Sequence, residues 1–461
     1  MKAVYKQICP PRCEPVLPPV DLTAETMRQH LQKVLARMEA ERLDTLLVYG
    51  DREHGANFAY LTGFEPRFEE ALLVLQRDDA EHCLVLGNEN LKMAQYSFLP
   101  ARAVHAPHFS LPGQPMTPDK PFAELLHAAG VENRRRIGIA GWKLFTSRVE
   151  DNTSLFDVPE WIVQAVRACN PDGETLSMGR VFLDPETGVR NQMNANEIAH
   201  YEAGAATAAA AVFGAMEQVA PGRTEMEVAA AFRDWGQPRT VTAICAAGER
   251  FTNAVVFPRA KKMRMGDRIS VTFGLRGGLT SRAGYIAEGT NDLPEANRDY
   301  LNRVALPYYK ALACWLEALE IGQTCGAVYD VVEAVLPKET YRWTLNPGHL
   351  TGQEEWTVSP FAKDSAITLK SGMLLQADII PSVPGYAGAS AEDGLALADA
   401  ALRQKLQRDY PALWRRFERR RSYIQEVLGI RLRDEVLPLG DLLGYYRPLF
   451  LCKDHACAIE E

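Results

Sequence analysis

Between Asn194 and Val219 the chain reads NANEIAHYEAGAATAAAAVFGAMEQV, a run so rich in alanine, the strongest helix former, that it is read as one long helix. Asn196 is taken as its N-cap. The segment PGRTEMEVAAAFRDWG at 221–236 is read as a second helix, opened by a Thr224/Glu227 capping box and stopped by Gly236. The text on either side of this pair differs in kind. Upstream, a capped helix over 21–42 leads into the strand LDTLLVYG. ALLVL at 71–75, HCLVLGN at 82–88 and RRIGIAG follow as further strands, with a helix over 123–130 that ends in Gly130. Downstream, strand-like pieces fill 241 to about 290 (VTAIC, RISVTFGL, AGYIAEG), and helices return over 297–319 and 325–336. GMLLQADIIPSV and GLALADAAL are again extended, and ALWRRFERRRSYIQEVLG is a basic helix read as a solvated face. The expectation is an α/β domain over 1–180 and an α+β domain over 181–461, in which helices cover one side of an antiparallel sheet.

Charge and composition narrow the function classes. Lys and Arg total 51 against 59 Asp and Glu, a net charge of −8, which lacks the electrostatic footprint of a nucleic-acid binder. No stretch approaches the ~18–20 apolar residues of a membrane span, and the first residues lack an apolar core flanked by a cleavage site. Nine scattered cysteines are not a disulfide framework, so a soluble chain in a reducing cytoplasm is expected. Cys9 with Cys13, and Cys452, His455 and Cys457 near the end, suggest a zinc clip, but neither group has neighbours at zinc-module spacing.

Several phrases occur in a telling order: ANFAYLTGF at 56–64, the alanine-rich helix followed by PGRTEMEV, a strand opened by Gly266-Asp267, then Gly348-His349, Gly372-Met373 with Asp378, and Glu392-Asp393. From about Leu31 to Pro438 this order resembles the creatinase, aminopeptidase P and prolidase superfamily of pita-bread fold. The resemblance implies a creatinase N-terminal-like α/β domain and an α+β pita-bread C-terminal domain. It also implies a homodimer, an N-terminal domain that reaches the partner's active site, and a small-molecule or short-peptide substrate. In the metallopeptidases of the superfamily two aspartates on one hairpin, one histidine and two glutamates bind a pair of divalent metals, which activate the attacking water.

Carried over position by position, this ligand set is incomplete. Thr272 stands where the first Asp belongs. For the second Asp, counting eleven residues on gives Ala283 and sends Arg282 into the pocket, whereas aligning Gly284-Tyr285 puts Glu288 there. His349 and Glu392 match, and Asp378 replaces a Glu. The loop AAGERFTNAVVF offers Arg250, Thr252 and Asn253 where the superfamily has a further histidine.

The resemblance with these departures implies a metal-independent or single-metal hydrolase that cleaves a C–N bond in a small polar substrate. In it His349 is general acid or base, Glu392 and Glu288 orient water or a substrate cation, and Asp378 completes the acidic set. Arg282 pairs with a substrate carboxylate. Tyr285, with Trp356 and Phe257, lines the pocket, and Arg67 and His54 bind substrate in trans. The cofactor is none or one divalent metal, held by Glu288, His349, Asp378 and Glu392. The alternatives are an Xaa-Pro aminopeptidase or dipeptidase with an altered metal site, and a non-catalytic binding module. For Glu392 and Asp378 the competing structural role is a salt bridge to Arg282 or Arg276.

Overall fold

The computed structural model describes every residue except 79, 80, 118, 254–256 and 461, and the side chains of Thr252 and Asn253 also lie outside the described residues. The chain forms two compact units, Leu22–Asn191 and Met1–Asp21 with Gln192–Glu461. The division therefore falls at 191–192 rather than near 180, and the first residues belong with the C-terminal unit. Strand pairing gives the reason: Lys2–Gln7 runs antiparallel to His455–Glu460.

Among the described residues the Leu22–Asn191 unit carries a six-stranded mixed sheet, ordered Ala101–His105, His82–Leu86, Ala71–Gln76, Thr45–Gly50, Arg136–Ala140, Glu174–Ser177. Thr45–Gly50 is buried at every residue because both its faces are covered. Leu46 and Val48 enter one core, while Leu47 and Tyr49 enter another, as the two-residue period of a strand requires.

The other unit holds two four-stranded antiparallel sheets. The first is ordered Ser390–Glu392, Gly278–Tyr285, Arg268–Leu275, Ile244–Ala247; the second is His349–Leu350, Leu374–Gln376, Gly394–Leu397, Val436–Pro438. The alanine-rich helix spans Ala195–Gln218 and is capped by Asn194, not Asn196. Asn194 accepts the Glu197 N–H and Glu197 answers to the Asn194 N–H, whereas the Asn196 amide donates to Asp21 O. The next helix keeps its Thr224/Glu227 box but stops at Ala229, where the ladder tightens to i→i−3 bonds from Ala231 to Val228 O and from Phe232 to Ala229 O. The basic helix Pro411–Ser422 is not merely solvated. Arg420 is buried between Glu202 (2.7 Å) and Asp441 (2.8 Å), and Arg416 also binds Glu202.

The long helix fixes the hairpin Arg268–Leu275/Gly278–Tyr285 by close backbone approach. A Cβ on Gly204 would lie 1.9 Å from Arg276 O, and one on Gly277, at φ +107°, would lie 2.0 Å from Tyr201 O. Gly277→Ala is therefore expected to cost about 1–3 kcal/mol or more in denaturant unfolding. Gly214→Ala, whose new methyl meets nothing nearer than 3.8 Å, should instead stabilise by up to ~1 kcal/mol.

Candidate active site

The hairpin turns on two residues, Arg276 and Gly277, so that Thr272 faces Ser281 across the ladder and Ser281 in turn faces Glu392. Residues directly opposite in antiparallel strands share a face, which aligns Thr272, Ser281 and Glu392. Thr272 Oγ1 and Ser281 Oγ are hydrogen-bonded at 2.7 Å. The residue opposite Thr272 is thus neither Ala283 nor Glu288, and both alignments miscount because the hairpin is short.

Three expected site residues lie elsewhere. Glu288 is exposed beyond the end of its strand, where its N–H donates to Asp292. Arg282 is fully buried and spends all five N–H donors: Nε on Tyr445 O, Nη1 on Ser281 O and Glu392 O, Nη2 on Leu442 O and, at 2.5 Å, on Asp393. It has nothing left for a substrate carboxylate, and its carboxylate partner is Asp393 rather than Asp378. Tyr285 is a core residue whose hydroxyl accepts the Ala387 N–H.

His349 opens the second sheet opposite Gln376 and is fully buried. Its two ring nitrogens both face acceptors: Nδ1 lies 3.1 Å from Leu350 O, and Nε2 lies 3.2 Å from Glu355 Oε1 and 3.8 Å from Glu392 Oε1. That is the pattern of an imidazolium, which donates from both nitrogens. Burial alone would lower its pKa, but the Glu355 and Glu392 carboxylates prevail and raise it to about 10. Trp356 stacks on the ring at 4.2 Å.

Gln376 occupies the middle of this cluster. Its Oε1 accepts the Leu279 N–H at 2.9 Å, which fixes the orientation of the amide. The amino group then donates to Glu392 Oε1 (2.8 Å) and Glu355 Oε1 (3.1 Å), 3.4 Å from His349 Nε2. Asp378, two residues on, is buried. Burial raises its pKa to about 6, His349 opposing and Glu355 adding to the shift. Glu392 is raised to about 8 by burial, then by repulsion from Asp378. Sequence reasoning missed Glu355, Gln376 and Ser281; Glu355 is next to Trp356, Ser281 is next to Arg282 and Gln376 is two residues from Asp378, but nothing in their types singles them out.

By spacing, His349, Glu355 and Glu392 form a triad whose donor atoms lie within 4.8 Å of one another, close enough for one ion. The residues present do not fit a two-metal centre. Thr272 and Ser281 are neutral and bonded to each other, and the Gln376 amino group takes the space between the carboxylates with its oxygen turned away.

The raised Asp378 carries a stability consequence. Its folded pKa exceeds the unfolded value, so its contribution is full below pH ~4 and lost as pH rises through about 6. In urea unfolding, Asp378→Asn should therefore gain in stability on the parent chain as pH rises from 4 to 7.

Arg67 and His54 belong to the Leu22–Asn191 unit and have local partners. Arg67 pairs with Glu65 and donates to Arg52 O, while His54 stacks on Trp142 and bonds Asp51. Arg250 pairs with Glu225, and Phe257 is exposed.

A model of the creatinase/prolidase N-terminal domain matches residues 30–168, and the model of metallopeptidase family M24 matches residues 199–436. No curated protein matches the chain. Among solved structures it is similar to an Xaa-Pro dipeptidase from Bacillus anthracis, with TM-score 0.61 and 15% identity over 81% of this chain and 96% of that one. The prolidase from Pyrococcus horikoshii OT3 gives 0.60 and 18% over 80% and 95%. A recombinant prolidase from Thermococcus sibiricus gives 0.63 and 16% over 82% and 95%. At these identities the likeness establishes the fold, an α/β creatinase-type N-terminal domain and a pita-bread C-terminal domain. Among the described residues no helix is long and apolar enough to cross a membrane, and all nine cysteines are free.

Proposed function

The chain belongs to metallopeptidase family M24, and on that premise we propose that it is a hydrolase acting on a C–N bond of a small polar substrate through an acid–base cluster in place of a two-metal centre. The observation that carries the reading is the Gln376 amino group between Glu355 and Glu392, a neutral donor where the chemistry of a metal site calls for a cation. Asp378, ionised above about 6, takes the proton of the attacking water. His349, protonated up to about 10, gives a proton to the leaving nitrogen, and Glu355 and Glu392 hold it in place. The acidic excess around one imidazolium suits a substrate with a cationic group, which enters where Glu355 and Trp356 are partly exposed. A homodimer is part of the proposal.

One observation favours a second reading. The His349, Glu355 and Glu392 donors are near enough for a single metal, and the similar structures include an Xaa-Pro dipeptidase and a prolidase. A screen of amides, amidines and dipeptides, Xaa-Pro included, with and without chelator, separates the two. Turnover that survives the chelator supports the acid–base cluster. Xaa-Pro cleavage that requires added manganese or zinc supports the single metal, and a substrate-sized ligand bound without turnover supports a binding module.

A further inference from the structure

The turn into the last strand gathers three metal-ligating side chains far along the sequence from His349. Its residues run Cys452-Lys453-Asp454-His455, closed by His455 N–H on Cys452 O at 3.3 Å. The Ile8 N–H donates to Asp454 O at 2.7 Å, and pairing of Lys2–Gln7 with His455–Glu460 holds the turn from the other side. Cys452 Sγ lies 3.8 Å from Asp454 Oδ1, His455 Nδ1 lies 2.9 Å from the same oxygen, and the three donors are within 4.8 Å of one another. Around a tetrahedral zinc ion such donors sit about 3.4 Å apart, so small side-chain rotations suffice. A second observation points to the same place. Tyr5 Oη is buried and faces the Cys452 thiol, and its ring lies 5.5 Å from the His455 imidazole.

We propose that Cys452, Asp454 and His455 bind one borderline-soft divalent cation of the zinc class, with the fourth position open toward Tyr5. A thiolate, an imidazole and a carboxylate select such an ion over magnesium or calcium, and the thiolate and carboxylate balance its charge. Lys453 does not compete, because its ammonium is paired with Glu217 at 3.0 Å. Cys457 takes no part, since it is buried in the hydrophobic core. Without the ion Asp454 pairs with His455; on binding, the cation displaces the thiol proton and the proton on Nδ1.

Cobalt titration of the full chain is the test. A thiolate-to-cobalt charge-transfer band with the visible bands of a four-coordinate ion is expected, saturating at one ion per chain and displaced by zinc. Cys452→Ser should remove the charge-transfer band, and Asp454→Asn, at an exposed position that leaves the fold intact, should weaken cobalt binding by more than about tenfold. His349→Ala should leave band and affinity unchanged, which keeps this site distinct from the acid–base cluster. Absence of the band, its persistence in Cys452→Ser, or unchanged affinity in Asp454→Asn overturns the proposal.

Discussion

His349→Ala should lower kcat by about 10²–10⁴-fold while leaving the fold in place. The side chain supplies the only imidazole among the described residues of the cluster and the group whose two N–H bonds both point at acceptors. Its removal takes away the acid that protonates the leaving nitrogen and leaves the Glu355, Asp378 and Glu392 carboxyls to repel one another. The pH profile of kcat/KM carries the same assignment. Activity should rise through about 6, as Asp378 loses its proton, and fall through about 10, as His349 loses its own. Asp378→Asn should abolish the acidic limb together with most of the turnover. A profile with neither limb moved by these substitutions would remove both residues from the mechanism.

The largest effect on stability is expected at Arg282. Arg282→Met leaves Asp393 buried with its ion-pair partner gone, along with four carbonyl acceptors, and should cost about 3–5 kcal/mol in denaturant unfolding. Burial raises the Asp393 pKa and Arg282 opposes that rise, so without the guanidinium the carboxyl takes up a proton. Arg282→Met combined with Asp393→Leu should recover much of the loss, because an apolar pair of similar volume avoids the unpaired charge. If Arg282→Met alone unfolds no more easily than the parent chain, the ion pair is not the staple between hairpin and adjoining strand that its geometry describes.

The helix-then-sheet organisation was legible because it rests on local signals. The alanine run, the Thr224/Glu227 box and the apolar strands of the first domain all act over a few residues, and all reappear in the structure. The cap was misplaced even though Glu197, three residues after Asn194, marks a capping box there, while Asn196 has Ala199 at that spacing. Residue type and spacing were enough to mark His349 and Glu392, which the fold brings within one cluster. The site was lost where backbone geometry decides. A two-residue turn sets Ser281 rather than Ala283 or Glu288 against Thr272, and no counting rule transferred from longer hairpins yields that register. Arg282 looked like a pocket residue because a permanent charge in a strand invites a partner, but the partners turned out to be a neighbouring carboxylate and the chain's own carbonyls. Gln376 carries no signal at all in sequence; its role comes from the Leu279 N–H that turns its amide.

The central claim is that the Gln376 amino group stands in place of metal in the His349 cluster. Metal content decides it, measured on Cys452→Ser protein after equilibration with manganese and zinc, so that the terminal turn does not contribute. No stoichiometric metal is expected, and no change on adding His349→Ala. One ion per chain that is lost when His349 is replaced would contradict the claim.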